Sequence, residues 1–360
     1  MASPGGGLSK SLAWRVKLFS LANKTSVGAS RNNPFTYMGC MCKSYSLYRK
    51  HGFLPDEAMK LGLLNSKDGV EGNFISKIQL VARQKFLNHP SFQEMTEDKA
   101  VFYTFCSRMG LPTPRLLALF FSASSGMQWG QRPLAGESQW VDFFDNYCPP
   151  EFVVKPSLGV YGEGILFVEK NSPGYSGAEL FRTLQTHPKY HSFVIQECLQ
   201  NHPAIMAISP KRGLQTVRVI TFVKEDLSVE ILMAYLKPIV GENRIDNHSK
   251  GFTGNLLCQI NLSDGTLGDL VMVGQEGVIK LEAHPDTGSV FKGQKMPLWD
   301  ELCGLARSAA KGFLPMRAIG WDVAVTPEGP LIIEGNARWD PPKFGNIEFL
   351  MCSMGDSEKV

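Results

Sequence analysis

Three oxygen-bearing side chains near the C-terminal end of this sequence, Asp322, Glu334 and Asn336, have the types and spacing of a cation site. They stand in Gly320-Trp321-Asp322-Val323 and Ile332-Ile333-Glu334-Gly335-Asn336, two apolar runs separated by Pro327-Glu328-Gly329-Pro330. Glu334 and Asn336 lie two residues apart and so share a strand face. An antiparallel pairing of residues 318–325 with 330–336, around a turn at 326–329, lets Asp322 join them. Carboxylates crowded on one face of apolar strands repel and desolvate each other without a cation. Magnesium takes one or two carboxylates and fills its shell with phosphate and water, so the triplet predicts a metal site that also receives a phosphorylated ligand. Single strand-end Asp, Glu or Asn residues commonly cap turns; the combination at this spacing argues for the metal.

Other stretches supply groups for the phosphates. Phe152–Lys155 reads as a strand ending in a lysine. The loop Ser157-Leu158-Gly159-Val160-Tyr161-Gly162-Glu163-Gly164 and a second strand, 164–168, follow it. Glycines let backbone N–H groups close over a polyphosphate, and Lys155 adds a point charge. No helix opens after these glycines, so this is neither a Walker loop nor a dinucleotide fingerprint; alone it also reads as a plain mobile turn. Phe193-Val194-Ile195-Gln196-Glu197-Cys198-Leu199 is an apolar strand breaking into a polar linker, Gln200-Asn201-His202-Pro203. Such a hinge offers backbone and side-chain partners to a purine edge or ribose. A polar loop, Asp246-Asn247-His248-Ser249-Lys250-Gly251, could cover a site, with His248 or Lys250 touching a substrate.

The elements that must position these groups change character along the chain. Residues 54–90 read as helical and loop-rich, with a helix start at Pro55. Thr96-Glu97-Asp98 opens a helix through Phe102, Phe105 and Met109, stopped by Gly110 and Pro112. A strand at 114–121, a small-residue loop at 122–136 and a short helix at 141–147 come next. Strands then dominate, at 152–155, 164–168, 193–196, 216–223, 229–236, 256–262 and the final pair, with helices at about 177–186 and 297–311. Many strands and few helices predict an α+β fold of mostly antiparallel sheets. No internal repeat is present.

In this order the motifs resemble the ATP-grasp superfamily, as in D-alanine–D-alanine ligase, over roughly 97–336. Further stretches, Gln215–Thr221, Arg244–Gly251, His284-Pro285-Asp286-Thr287-Gly288 and Gly320–Val323, are similar to its sugar-transfer-associated group. The resemblance implies two α+β subdomains clasping ATP between antiparallel sheets. It implies that Lys99 and Lys155 contact phosphates under a lid carrying Ser157, Gly159, Gly162 and Gly164. Gln196, Glu197, Cys198 and Leu199 would line the adenine, with Glu197 the leading side-chain contact. Asp322, Glu334 and Asn336 would bind Mg²⁺ or Mn²⁺. Arg218, Lys155, Asn336 and His248 would act in catalysis, Arg218 on the transferring phosphoryl group unless it serves only as a cross-strand ion pair. The chemistry implied is ATP-dependent carboxylate–amine ligation through an acyl phosphate, releasing ADP and phosphate, in cell-surface polysaccharide or peptide and amino-acid conjugate synthesis. A kinase acting on a hydroxyl or histidine, or a nucleotide-binding protein without turnover, would use the same cradle. Two departures stand out: Gly320 occupies the place of an arginine found in D-alanine–D-alanine ligases, and Ala337-Arg338-Trp339-Asp340-Pro341-Pro342 replaces their Pro-Gly. The acceptor pocket therefore differs, with Arg338, Trp339, Asp340, Lys343 and the 246–251 loop on its side.

At 360 residues the chain is long enough for a large composite core. The expected organisation is a basic arm at 1–53, a helical region at 54–95, an ATP-grasp unit at 96–350 with halves at about 96–200 and 201–350, and a tail. No apolar run is long enough to cross a membrane. Eight scattered cysteines suit buried thiols in a reducing cytoplasm, and Cys40-x-Cys42 lacks the second pair that zinc needs. Small-molecule carboxylates and amines are the expected partners, with no call for nucleic acid. No Asp or Glu precedes Asp56, whereas Lys10, Arg15, Lys17, Lys24, Arg31, Lys43, Arg49 and Lys50 do. That composition fits a helix on an anionic surface, a targeting leader, or a solvated arm capping the core.

Overall fold

A computed structural model describes residues 6–30, 34–64, 74–159, 162–247, 253–274 and 277–341. The chain opens with a helical hairpin, α1 (Gly6–Ser30) and α2 (Pro34–His51), followed by α3 (Pro55–Lys60) and α4 (Lys77–Leu87). Ser76 starts α4 through a capping box with Gln79. A short α5 (Glu94–Glu97) leads into α6 (Lys99–Arg108), where the Asp98 carboxylate caps the amides of Ala100 and Val101 at 2.8 and 3.2 Å.

Strands β1 (Leu116–Ser122) and β2 (Ser125–Gln128) form a hairpin, then α7 (Glu137–Asp142) crosses over to β3 (Glu151–Pro156) and β4 (Leu166–Glu169). After α8 (Gly177–Gln185), β5 (Phe193–Glu197) inserts between β1 and β3 to give an antiparallel sheet ordered β2-β1-β5-β3-β4. The helix α9 (Pro203–Ile208) links this sheet to a second. That sheet holds β6 (Thr216–Val223), β7 (Val229–Leu236), β8 (Leu256–Ile260), β9 (Leu267–Val273) and β10 (Val278–Leu281). The helix α10 (Trp299–Gly312) then precedes β11 (Ala318–Thr326) and β12 (Gly329–Asn336). The second sheet is antiparallel throughout, ordered β10-β9-β8-β7-β6-β11-β12. The expected α+β class with two antiparallel sheets is therefore the observed one. The short stretch read as loop, 122–136, instead contains β2. Its Gly126 lies where a Cβ would meet the Trp140 ring at 2.3 Å, so only glycine lets that strand lie flat.

Alternation along the strands decides which faces are dry. One face of the first sheet, with Phe120, Phe152, Val154, Phe193 and Ile195, packs on Trp140, Phe144 and the α8 residues Phe181 and Leu184. The other face carries Val153, Lys155, Val194 and Gln196, because Lys155 pairs with Val194 and Val153 with Gln196. In the second sheet, Ile319, Trp321, Val323 and Val325 of β11 pack against Leu302, Ala306, Ala309 and Phe313 around α10. The opposite face is covered in part by α4, with Leu80 and Leu87 on Ile220, Phe222, Ala318 and Trp339. Asn88 locks that contact by donating to Ala318 O at 2.7 Å and Ala337 O at 2.9 Å. Beyond α4, the same face bears the charged groups. Cys106, Cys148 and Cys258 are buried thiols, each pushed up to about 12 by burial.

Candidate active site

One row of side chains crosses the second sheet. Tyr235 pairs with Arg218, Arg218 with Asp322 and Asp322 with Glu334, so all four share a face. The Asp322–Glu334 pairing depends on a bulge. From the turn, Thr326 pairs with Gly329 and Val323 with Ile332, and Ile333 is then left over. Without that extra residue Glu334 would point to the far side. The Tyr103 hydroxyl of α6 donates to the bulged Ile333 carbonyl at 2.6 Å. Asn336 lies on the same face and donates to Gly320 O at 3.3 Å. The three oxygen-bearing residues singled out in the sequence are thus brought together.

Asp322 is buried and doubly paired. Its Oδ1 accepts from Arg218 Nε at 2.6 Å, and its Oδ2 accepts from Arg218 Nη2 at 3.1 Å and lies 3.2 Å from Lys237 Nζ. Burial pushes this carboxyl up, but Arg218 and Lys237 outweigh it and hold it at about 2. Lys237 also lies 3.3 Å from Asp246, whose Oδ2 accepts from the Thr216 amide and hydroxyl at 2.8 and 2.5 Å. Two cations and two carboxylates therefore form a buried chain, Arg218–Asp322–Lys237–Asp246. Lys237 was not singled out from the sequence, although Leu236-Lys237-Pro238 repeats the strand–Lys–Pro signature that marked Lys155. Glu334 is more open, with 35% of its side chain exposed and Lys99 at 3.9 Å. It makes no hydrogen bond among the described residues.

The first sheet faces this row with its own cations. Lys155 is held down to about 8, first by burial and second by the charge of Lys99. Lys99 donates to Gly159 O at 2.6 Å, so helix α6 grips the base of the glycine hairpin. Ser157 is buried and committed to this joint: its amide donates to Ser192 O at 2.9 Å, its carbonyl accepts from Lys99 N at 2.9 Å, and its hydroxyl bonds Asp98. Gly162 and Gly164 have positive φ, and a Cβ on Gly162 would sit 2.9 Å from Ile245 Cδ1, which places the hairpin against the loop after β7. Arg244 of that loop stacks 4.4 Å over Phe167 and reaches Glu169 at 3.4 Å. His248, assigned a catalytic role from the sequence, lies outside the described residues.

At the hinge, Gln196 is buried on the inner face, and neither its Oε1 nor its Nε2 has a hydrogen-bond partner among the described residues. The nearby Tyr103 hydroxyl gives its proton to Ile333. Glu197 lies on the other face, paired with Phe152, and its carboxylate accepts from the Arg115 amide at 2.6 Å. Cys198 and Leu199 are half-buried at the strand's end. Gly320 has a reason to be glycine: a Cβ would meet Trp339 Cβ at 3.0 Å and Arg218 Cδ at 3.3 Å. Trp339 of the divergent 337–342 stretch fills the space above it.

The residues present fit a metal–nucleotide. No cluster of three or more His, Cys, Asp or Glu that could hold a metal alone occurs among the described residues. Asp322 and Glu334 with the Asn336 oxygen form the partial oxygen set that leaves a cation open to phosphate. A carboxylate has about four acceptor sites, and Asp322 keeps one on Oδ1. The unpaired Gln196 oxygen is an acceptor waiting for a donor.

Two antiparallel sheets joined by a hinge, a glycine hairpin rooted on paired lysines, and a facing Arg–Asp–Glu–Asn row define the ATP-grasp class. The sequence matches the sugar-transfer associated ATP-grasp family over residues 82–344, and the chain belongs to that family. A search of curated proteins returns no match. Among solved structures, the chain is similar to an N5-carboxyaminoimidazole ribonucleotide synthetase in its ADP complex, at 12% identity and a TM-score of 0.42. That match covers 74% of this chain and 52% of the other. An L-amino acid ligase from Bacillus licheniformis matches at 14% identity and TM-score 0.39, over 73% and 48% of the two chains. The ATP complex of D-alanine–D-alanine ligase from Bacillus anthracis matches at 12% and 0.34, over 68% and 55%. The chain thus spans about half the length of these structures.

Proposed function

We propose that this protein is an ATP- and Mg²⁺-dependent carboxylate–amine ligase that releases ADP and phosphate. The observation that carries the reading is the Arg218–Asp322–Glu334 row set opposite Lys99 and Lys155. Asp322, Glu334 and Asn336 would hold Mg²⁺, which when bound neutralises charge between phosphate oxygens and orients them for in-line transfer. Lys99 and Lys155 would carry the charge of the polyphosphate, and the glycine hairpin would shield it from water. Gln196 Oε1, rather than Glu197, is the side-chain acceptor available to the exocyclic amine of adenine. Arg218 lies beside the metal carboxylate and would stabilise the phosphoryl group as a substrate carboxylate attacks it. The acyl phosphate so formed would be captured by an amine, giving an amide and inorganic phosphate. The product would belong to cell-surface polysaccharide or peptide and amino-acid conjugate chemistry; the family's description, sugar-transfer associated, supports the first of these.

The test is an ADP-release screen over paired carboxylates and amines, with mass spectrometry of the product. An amide with stoichiometric phosphate is expected. A stable phosphorylated product without free phosphate would make the protein a kinase. Glu334→Ala should lower acceptor-dependent ADP release at least about a hundredfold, and near-normal turnover in that variant would refute the metal assignment.

A further inference from the structure

The α1–α2 hairpin lies outside the family-matched region, and the site uses none of it. Its inner side is anchored: Ala22, Thr25 and Ser26 of α1 and Cys40, Ser44 and Leu47 of α2 are buried, and Leu47 joins Phe53, Ala58 and Leu63 in a small core. Tyr37 of α2 donates to Asn23 of α1 at 2.7 Å. The outer side is apolar as well. Val16 and Phe19 of α1 are 62% and 65% exposed, and Phe35, Met38 and Tyr45 of α2 are 89%, 59% and 63% exposed. Phe35, Met38, Cys42, Tyr45 and Arg49 recur at helical spacing and form one solvent-facing stripe. A helix apolar on both sides calls for cover on both.

Charge indicates the cover. Arg15, Lys17, Lys24, Arg49 and Lys50 are exposed, and no carboxylate precedes Asp56. Eight basic residues before Asp56, in a chain of net charge +3, leave the remainder at −5. The hairpin is therefore the positive end of an otherwise negative molecule. No helix among the described residues is long and apolar enough to cross a membrane, so contact would be lateral.

We propose that the outer face of the α1–α2 hairpin docks on a membrane surface of anionic phospholipid. Phe19, Phe35, Met38 and Tyr45 enter the headgroup–acyl boundary, and the flanking lysines and arginines meet the phosphates. The net negative remainder of the chain is held off the surface, which orients the protein hairpin-down.

The test is co-sedimentation of the full chain with vesicles of phosphatidylcholine alone, or of phosphatidylcholine mixed with phosphatidylglycerol. Binding is expected to the mixed vesicles only, weakening as salt rises. Two variants probe the two halves of the contact. Val16→Ser/Phe19→Ser/Met38→Ser/Tyr45→Ser and Lys17→Glu/Lys24→Glu should each lower vesicle affinity about tenfold or more. All six side chains are exposed, so both variants should keep the wild-type melting temperature. The proposal is overturned by absence of binding to the mixed vesicles, by equal binding to neutral ones, or by wild-type affinity in either folded variant. A wild-type dimer that the serine variant converts to monomer, with no vesicle binding, would instead assign the face to a second copy of this chain.

Discussion

At the end of β3, partial burial and the neighbouring charge of Lys99 pull the Lys155 amine down to about 8. A polyphosphate beside it favours the charged form and raises that value. Nucleotide binding therefore takes up a proton between the two values. Affinity should be flat below about pH 8 and fall above it, by up to about tenfold per pH unit. Titrations from neutral to mildly alkaline pH check this, and Lys155→Met should flatten the profile. Lys237 has a different duty, since it neutralises Asp322 and Asp246 together inside the sheet face. Lys237→Met leaves two buried carboxylates without the cation they share and should cost about 3 kcal/mol in urea unfolding. At this scale the sequence was legible where residue type is restrictive. Asp322, Glu334, Asn336 and Lys155 stand out as oxygen and amine groups at apolar strand ends, whereas Lys99 opens a helix and was named through the family resemblance. Lys237 was missed because no glycine loop follows it, and Glu197 was preferred to Gln196 because a carboxylate attracts notice that a buried amide does not.

The bulge in β12 shows what local pattern leaves out. The regular pairing from which the sequence reading placed Asp322 and Glu334 on one face would in fact put Ile333 opposite Asp322; the extra residue turns Glu334 toward Asp322 instead, and Tyr103 of α6 satisfies the displaced carbonyl. Tyr103→Phe should therefore destabilise the protein by about 1–2 kcal/mol and weaken nucleotide binding, because Glu334 loses its fixed orientation. Thermal melts and binding titrations on one preparation check both effects. Gly320 is set by a neighbour far along the chain, Trp339, and Gly320→Ala should cost about 1–3 kcal/mol in the same melts through overpacking. Strands 267–273 and 278–281 escaped the sequence reading. Each is a short edge-side element, and turns rich in Gly and Asp surround them. Their identity comes from pairing, β9 onto β8 and β10 onto β9, a tertiary fact that period-two patterning does not carry.

At the scale of the molecule, α6 joins the two halves of the cleft. Its Phe102, Tyr103 and Cys106 share one core with Leu119 and Val194 of the first sheet and with Val219 and Trp321 of the second. The order of motifs made the fold class readable, since an antiparallel sheet, a hinge and a second antiparallel sheet follow from strand succession. The relation between sheets, and the docking of Gly162 on Ile245, depend on contacts distant in sequence and were not visible there. A ligand spanning both sheets should stabilise the whole assembly, by about 2.7 kcal/mol at a hundredfold excess over Kd. The most direct measurement of the central claim is a calorimetric titration of ATP, with and without Mg²⁺, into the wild-type chain and Glu334→Gln. The wild type should bind tightly only with Mg²⁺, and the variant should bind weakly and indifferently to the metal. Equal Mg²⁺-dependent affinity in the two proteins would contradict a metal–nucleotide site on the Arg218–Asp322–Glu334 row.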